Sequence, residues 1–234
     1  MKKAKLKLKV RGDKNVVPAN EPRKRGLLIE LTGTAAEKVV ERRAMNIALA
    51  IDRSGSMGSR NMEAAKEAAI GVVSSLTEMD VLSVVDFDTE VTTLVDGSEM
   101  TPKGKAMAIN AIGSLSARGG TALGAGWYEA GLCASRVIDH TKIKTGHIVL
   151  LSDGQANSGI VDPRELWKQA AELAERGITT STVGVGPNYS PLQLEALAEG
   201  GRGQMHDAEG GAEIVEVIMG ELGETRSIVA SDVQ

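Results

Sequence analysis

Short apolar segments that alternate with amphipathic helical segments constrain the fold of this chain most strongly. From Met45 onward, runs such as Met45 to Ile51 and His147 to Ser152 carry no charged side chain, which is typical of strands buried on both faces. Between such runs lie stretches such as Asn61 to Thr77, where apolar residues recur at helical spacing. This alternation predicts an α/β protein with a mostly parallel sheet covered by helices on both faces.

The segment after the first helix predicts an antiparallel edge to this sheet. Val81 to Phe87 and Val91 to Val95 both have strand character, and only Asp88-Thr89-Glu90 separates them. Three residues are too few for a crossover, so the two strands should form a hairpin. The remaining predicted elements are helices at about residues 103–115, 121–139, 162–177, 190–200 and 212–222, and strands at 147–152, 178–185 and 204–206.

The first 43 residues have a different character from the rest. Lys alternates with apolar residues from Lys3 to Val10, which predicts a half-buried strand with Leu6 and Leu8 inside and Lys5 and Lys7 in solvent. Leu27 to Leu31 predicts a second strand, and the two should pair as a hairpin.

Charge also separates the two parts of the chain. Residues 1–43 hold 13 Lys and Arg against 5 Asp and Glu, a net charge of +8, whereas the remainder holds 14 against 26, a net charge of −12. We interpret the basic part as the solvated face of a strand rather than as a site for nucleic acid. We therefore predict a basic β element at 1–43, a main domain at 44–220, and a C-terminal segment at 221–234. Residues 227–230 of that segment should form a strand that joins the β element.

Composition excludes several classes of protein. Only five residues are aromatic, so surfaces for stacking nucleic-acid bases are scarce. The chain lacks a run of about 18 apolar residues, which argues against a membrane span. Cys133 is the sole cysteine, so neither an internal disulfide nor a multi-cysteine zinc site can form. These features predict a cytoplasmic protein with no nucleic-acid or membrane partner.

The loop after the first main-domain strand carries the chemistry of interest. It reads Asp52-Arg53-Ser54-Gly55-Ser56-Met57, and the side chains of Asp52, Ser54 and Ser56 are two residues apart. In a nearly extended segment they point to one side, where they offer a carboxylate and two hydroxyls. Such oxygen donors suit Mg²⁺, Mn²⁺ or Ca²⁺, and ligands of open α/β sheets bind beyond the carboxyl ends of strands.

This loop resembles the Asp-x-Ser-x-Ser motif of the metal-ion-dependent adhesion site in von Willebrand factor type A domains. The family's Thr matches Thr121 in Gly119-Gly120-Thr121, and its second Asp matches Asp153 in Ser152-Asp153-Gly154. The resemblance covers about residues 44–220. It implies a doubly wound, six-stranded sheet with its main-domain strands in the order 3-2-1-4-5-6. It also implies a metal site made by Asp52, Ser54, Ser56, Thr121 and Asp153.

The resemblance further implies a protein-binding function. A divalent cation, with Mg²⁺ favoured over Mn²⁺ and Ca²⁺, would accept a Glu or Asp side chain from a partner protein, and the Thr121 loop would shift when that side chain binds. An alternative is an accessory subunit of an ATPase machine of the chelatase or tellurite-resistance kind. Pairing of the β element could also produce a homo-oligomer.

An enzymatic function is less favoured. A Mg²⁺-dependent phosphotransferase would use Asp52 as nucleophile, but Ser54 stands where such enzymes place a second Asp. A phosphate-binding Gly-rich loop and a Gly-x-Ser-x-Gly elbow are both missing from the sequence. A Ser-His-Asp triad that uses His206 remains open, although the spacing gives it no support. We therefore predict a binding module and no catalysis.

Overall fold

The chain divides into two compact units, one formed by residues 1–42 and 224–234 and the other by residues 43–223. This organisation is seen in a computed structural model, which describes residues 5–12, 26–34, 43–153, 156–186, 189, 191–208 and 210–226. Within those ranges, no helix combines the length and the apolar character that a membrane crossing requires.

The predicted N-terminal hairpin is present. Strands β1 (Lys5–Gly12) and β2 (Leu27–Thr34) pair in antiparallel register, with Leu8 opposite Leu31 and Val10 opposite Ile29. Directly opposed residues of an antiparallel pair share a face. The alternation in β1 therefore separates a basic face from an apolar one, as the sequence predicts.

The burial predicted for this hairpin is wrong at Leu8. Lys7 is exposed as expected, but Leu8 is 63% exposed and Ile29 is 55% exposed. The described hairpin is a sheet of two strands, and a sheet of this size buries little apolar surface by itself. The side chains of Leu6 and Lys5 lie outside the part of the chain that the structure describes.

The main unit contains a six-stranded sheet in the order β5-β4-β3-β6-β7-β8. Every neighbouring pair is parallel except β4 and β5, which form the antiparallel edge. Counted within the main domain, this order is 3-2-1-4-5-6, so the predicted fold class and strand order are confirmed. The strands are β3 (Asn46–Asp52), β4 (Val81–Phe87), β5 (Val91–Glu99), β6 (Gly146–Ser152), β7 (Ile178–Val185) and β8 (Arg202–Ala208).

Helices cover both faces of this sheet and divide the core into two layers. Alternate residues of β3 enter opposite layers: Ile47, Leu49 and Ile51 pack on one side, and Ala48 and Ala50 on the other. The first layer includes residues of α1, α2 and α6, and the second includes residues of α3, α4 and α5. The helices are α1 (Gly58–Ser75), α2 (Pro102–Gly113), α3 (Leu123–His140), α4 (Pro163–Glu175), α5 (Pro191–Gly200) and α6 (Gly211–Arg226).

Several boundaries differ from the sequence prediction, including those of β5, α1 and α6. The strand expected to end at Val95 continues to Glu99, because a register irregularity lets residues that resemble a turn pair with β4. Helix α1 begins at Gly58 rather than Asn61, since its first turn carries only small and polar side chains that show no apolar period.

The third difference corrects the predicted C-terminal segment. Helix α6 continues through Arg226, so the first six residues of the segment predicted at 221–234 belong to this helix and not to the β element. Residues 223–226 read Gly-Glu-Thr-Arg and contain no large apolar residue, so the apolar period gives no signal for this last turn of the helix. The strand predicted at 227–230 lies outside the described residues.

Candidate metal centre

The two central strands of the sheet end side by side at the carboxyl edge. β3 pairs with β6 in parallel register, with Ile51 opposite Leu151, and Asp52 is the last residue of β3. The helix after β3 packs in one core layer and the helix after β6 packs in the other. The chain thus leaves the sheet in opposite directions here, which opens the crevice where α/β folds bind ligands.

Asp52 is completely buried at the base of this crevice. Its Oδ1 accepts a hydrogen bond from the Ser54 amide at 2.7 Å, and its Oδ2 accepts one from the Ser152 hydroxyl at 2.5 Å. Burial raises the pKa of Asp52 to about 6, and the charge of Asp153 adds to the rise. The bonds from Ser152 and Ser54 oppose this rise, because they favour the charged form.

The two serine hydroxyls of the first loop lie beside this carboxylate. Ser54 is buried, Ser56 is exposed, and their Oγ atoms are 3.0 Å apart. A single turn of 3-10 helix, Gly55–Met57, brings the second hydroxyl back to the first. The structure therefore places Asp52, Ser54 and Ser56 in one cluster, as their spacing predicts.

Asp153 is the second carboxylate of the crevice. It follows the last residue of β6 and is 4% exposed. Ile51 pairs with Leu151, so Asp52 and Asp153 follow these residues at adjacent strand ends. Two carboxylates in a buried crevice repel each other, and a bound cation would relieve that repulsion.

Thr121 reaches the same region from the loop that precedes α3. It is 1% exposed, and its loop is joined to the first loop by a hydrogen bond of 3.0 Å from the Gly55 amide to the Gly119 carbonyl. The backbone of Thr121 is held in turn by Asn157, whose Oδ1 accepts from the Thr121 amide at 3.0 Å.

Sequence reasoning missed a group of charged side chains beside the site. Arg53 forms ion pairs with Asp86 and, at 3.3 Å, with Asp88, and the Nε atom of Arg118 lies 2.7 Å from an oxygen of Asp88. Asp86 lies at the end of β4 and Asp88 just after it. Their position near the carboxyl end of a strand is the sequence feature that could have predicted them as neighbours of the site. Two basic and two acidic groups leave this cluster neutral.

The pKa values of the two acids in this cluster shift in opposite directions. Burial raises the pKa of Asp86 above its usual value, although the charge of Arg53 opposes the rise. Burial would also raise the pKa of Asp88, but hydrogen bonds from the backbone of Glu90 and from Arg118 prevail and lower it. The lowered pKa favours the charged form of Asp88, which forms an ion pair with Arg118.

A different type of metal site finds no support in the described part of the chain. Those residues contain no group of three or more His, Cys, Asp and Glu side chains that could hold an ion. The candidate centre has two carboxylates, and its other donors are hydroxyls. This donor set is typical of hard cations that keep bound water.

Comparison with known proteins identifies the fold. The family model of the von Willebrand factor type A domain matches residues 46–217, which is most of the chain. The chain belongs to this family. The match begins at the first residue of β3 and ends within α6, so it spans the whole six-stranded sheet.

Two similar proteins each contain a region that matches this type A domain. An uncharacterised protein of Synechocystis, sll0103, is 31% identical over 72% of this chain and 39% of its own length. A solved von Willebrand factor type A structure from Catenulispora acidiphila is 25% identical, with a TM-score of 0.61 over 87% of this chain and 44% of that one. This type A domain thus spans less than half the length of either protein.

A third similar structure has an occupied metal site. Proximal thread matrix protein 1 from the mussel byssus is 21% identical, with a TM-score of 0.63 over 80% of this chain and 47% of that chain. It is described with zinc in its metal-ion-dependent adhesion motif. At 21% identity, this similarity shows that the two proteins share a fold and shows nothing further about our type A domain.

Proposed function

We propose that this domain binds a divalent cation through Asp52, Ser54, Ser56, Thr121 and Asp153, and that the cation holds an acidic side chain of a partner protein. The observation that carries the proposal is the pair of buried carboxylates, Asp52 and Asp153, at adjacent strand ends beside two hydroxyls. Domains of the von Willebrand factor type A family typically mediate protein–protein interaction through metal-dependent sites, which supports this function.

The donor set leaves the cation able to accept a further ligand, because three of its five donors are neutral hydroxyls and do not make the centre negative. Two carboxylates balance the charge of a divalent cation, while serine and threonine hydroxyls add none. When bound, the cation supplies a Lewis-acidic acceptor for one further carboxylate. Mg²⁺ is the favoured ion, because it is usually held by one or two carboxylates and keeps several waters; Mn²⁺ and Ca²⁺ are the other candidates.

We propose a binding module rather than an enzyme. Among the described residues, the two acids beside the proposed ligands, Asp86 and Asp88, are paired with Arg53 and Arg118, which argues against a role in general acid or base catalysis. We also propose a cytoplasmic location, because the lone, buried Cys133 suits a reducing compartment.

Calorimetric titration tests the metal site. The wild type should bind at least one of Mg²⁺, Mn²⁺ and Ca²⁺ after chelator treatment. Asp52→Asn keeps the shape of the side chain but removes its charge, so it should abolish that binding. Asp139→Asn, at an exposed position on α3, is the matched control and should bind like the wild type. Equal binding by wild type and Asp52→Asn would contradict the proposed site.

A capture experiment tests the partner. Immobilised wild type, incubated with lysate of the source cell, should retain a protein in Mg²⁺ and release it in EDTA, and Asp52→Asn should retain none. Recovery of an ATPase would favour the accessory-subunit alternative over a free adaptor. Metal-dependent turnover of a phosphate ester by the wild type would instead indicate the enzyme alternative.

A further inference from the structure

The loop that carries Thr121 is fastened to the first metal-site loop through its backbone. The Arg118 amide donates to the Arg53 carbonyl at 2.7 Å, and the Gly55 amide donates to the Gly119 carbonyl at 3.0 Å. These two bonds fix the beginning of the loop. They use backbone atoms on both sides, so side-chain substitution does not remove them.

The end of the same loop is held by two side chains from other parts of the fold. Thr89, in the turn between β4 and β5, accepts a hydrogen bond from the Gly120 amide through its Oγ1 at 2.9 Å. Asn157, in the segment after β6, accepts from the Thr121 amide through its Oδ1 at 3.0 Å. The Asn157 amide also donates to the Thr121 carbonyl at 3.1 Å. We call Thr89 and Asn157 the Thr121 clamp.

The clamp closes on a residue that has no side chain. A Cβ atom at Gly120 would lie 3.2 Å from Thr89 Oγ1 and 3.2 Å from Asn157 Oδ1, closer than most such contacts in proteins. Gly119 precedes it with a φ of 70°, a conformation that favours glycine. The two glycines therefore leave room for both side chains to reach the loop backbone.

From these contacts we infer that Thr89 and Asn157 are positioning residues that hold Thr121 ready for the cation. The inference rests on the proposed function, because it assigns Thr121 to the metal. Neither clamp residue needs to contact the metal. They act by accepting hydrogen bonds from the Gly120 and Thr121 amides. Because the loop is already held in place, it loses less conformational freedom when the ion binds.

Substitutions at Thr89 give a sharp test, because Thr89 is exposed and valine keeps its shape. Thr89→Val removes the acceptor of the Gly120 amide and should weaken Mg²⁺ binding about fivefold, the usual effect of one lost hydrogen bond. Thr89→Ser restores a hydroxyl and should bind within about twofold of the wild type. Thr92→Val, at an exposed position on β5, is the matched control and should have no effect.

Asn157 is tested in the same way. Asn157→Ala removes the Oδ1 acceptor but leaves the backbone amide in place, and it should weaken Mg²⁺ binding to a similar degree. Ser158→Ala is its control, because Ser158 contacts Thr121 through its backbone amide, which the substitution keeps.

Two further measurements separate positioning from general destabilisation. In a Thr121→Val background the clamp has no hydroxyl to position, so adding Thr89→Val should change the remaining Mg²⁺ affinity by less than about twofold. In the metal-free protein, Thr89→Val should accelerate hydrogen exchange at the Gly120 amide while the amides of β3 stay protected.

The outcomes distinguish this inference from the proposed function. If the wild type binds none of the three cations, both fail. If it binds Mg²⁺ and Asp52→Asn does not, but Thr89→Val and Asn157→Ala bind like the wild type, the clamp alone is overturned. If Thr89→Val still weakens Mg²⁺ binding fivefold in the Thr121→Val background, the inference about the clamp is also overturned. The effect of Thr89 would then not pass through Thr121.

Discussion

Asp52 is the residue whose environment most directly links the fold to its proposed ligand. The carboxylate is completely buried, and the donors that favour its charge do not offset the cost of burial. An ionised Asp52 is therefore unfavourable in the metal-free fold, and either a proton or a cation can relieve it.

We predict that the metal-free protein loses stability as pH rises, because of Asp52. The folded-state pKa, about 6, lies above the ordinary value of 3.8. The contribution of Asp52 to the free energy of unfolding is thus fully present below pH 3.8 and is lost as pH rises through about 6. Between about pH 4.5 and pH 7.5 it should fall by about 2 kcal/mol. Urea unfolding of wild type and Asp52→Asn in EDTA measures it as a difference between the two, and a difference that does not change with pH would refute the prediction.

Thr121 should distinguish metal binding from partner binding. The family resemblance implies that its loop shifts when an acidic ligand reaches the metal, whereas Asp52 is needed for the metal itself. Thr121→Val should therefore weaken binding of the partner at least about tenfold more than binding of Mg²⁺. One calorimetric titration with each ligand decides this. Equal losses would make Thr121 an ordinary ligand without a switching role.

Local spacing alone predicts only the first loop of the site, whereas Thr121 and Asp153 are predicted through the family resemblance. Asp52, Ser54 and Ser56 lie two residues apart in one loop, and their cluster follows from that spacing. The hydroxyl of Ser152 meets Asp52 across two paired strands, and Thr89 meets Gly120 across two loops. Such contacts depend on strand register and loop path, which single-sequence patterns do not specify.

At the scale of elements, helix α4 illustrates a boundary that local sequence determines. Its N-cap residue Asp162 accepts a hydrogen bond from the Arg164 amide at 2.8 Å, and Pro163 occupies the first helical position. The sequence predicts this start because the cap residues are contiguous. The end of α6 has no such signal, which is why its predicted end falls four residues short of Arg226.

The α4 cap should contribute measurably to stability. Asp162→Ala leaves the Arg164 amide without its acceptor and should lower the free energy of unfolding by about 1 kcal/mol. Asp162→Asn keeps a good capping side chain and serves as the matched control, with a change expected within about 0.5 kcal/mol. Chemical denaturation followed by circular dichroism gives both values. Indistinguishable unfolding of the Ala and Asn variants would show that the cap is not important.

At the scale of the whole molecule, apolar burial is unequal between the two units. The main unit has completely buried residues in both core layers, such as Leu49 and Trp127. In the described hairpin, the apolar side chains of Leu8, Val10 and Ile29 are each more than half exposed. Folding free energy should therefore come mainly from the six-stranded sheet and its helices.

A matched pair of substitutions tests this distribution. Leu49→Ala empties a completely buried position and should cost about 2–5 kcal/mol of unfolding free energy. Leu8→Ala makes the same chemical change at a position that is 63% exposed, and it should cost less than about 0.5 kcal/mol. Similar costs for the two variants would mean that the apolar face of the hairpin is covered in solution.

Under the proposed function, the pair of acids at the ends of β3 and β6 would also determine the order in which the cation and the partner bind. Before a cation arrives, an acidic partner would approach two negative charges, so ion loading must come first and docking second. Thermodynamic reciprocity then requires that the docked partner tighten ion binding by the same factor by which the ion tightens docking. A cell that changes its free Mg²⁺ would thereby change how many of these domains carry a partner, and a domain with a docked partner would hold its ion through a fall in Mg²⁺ that empties a free one.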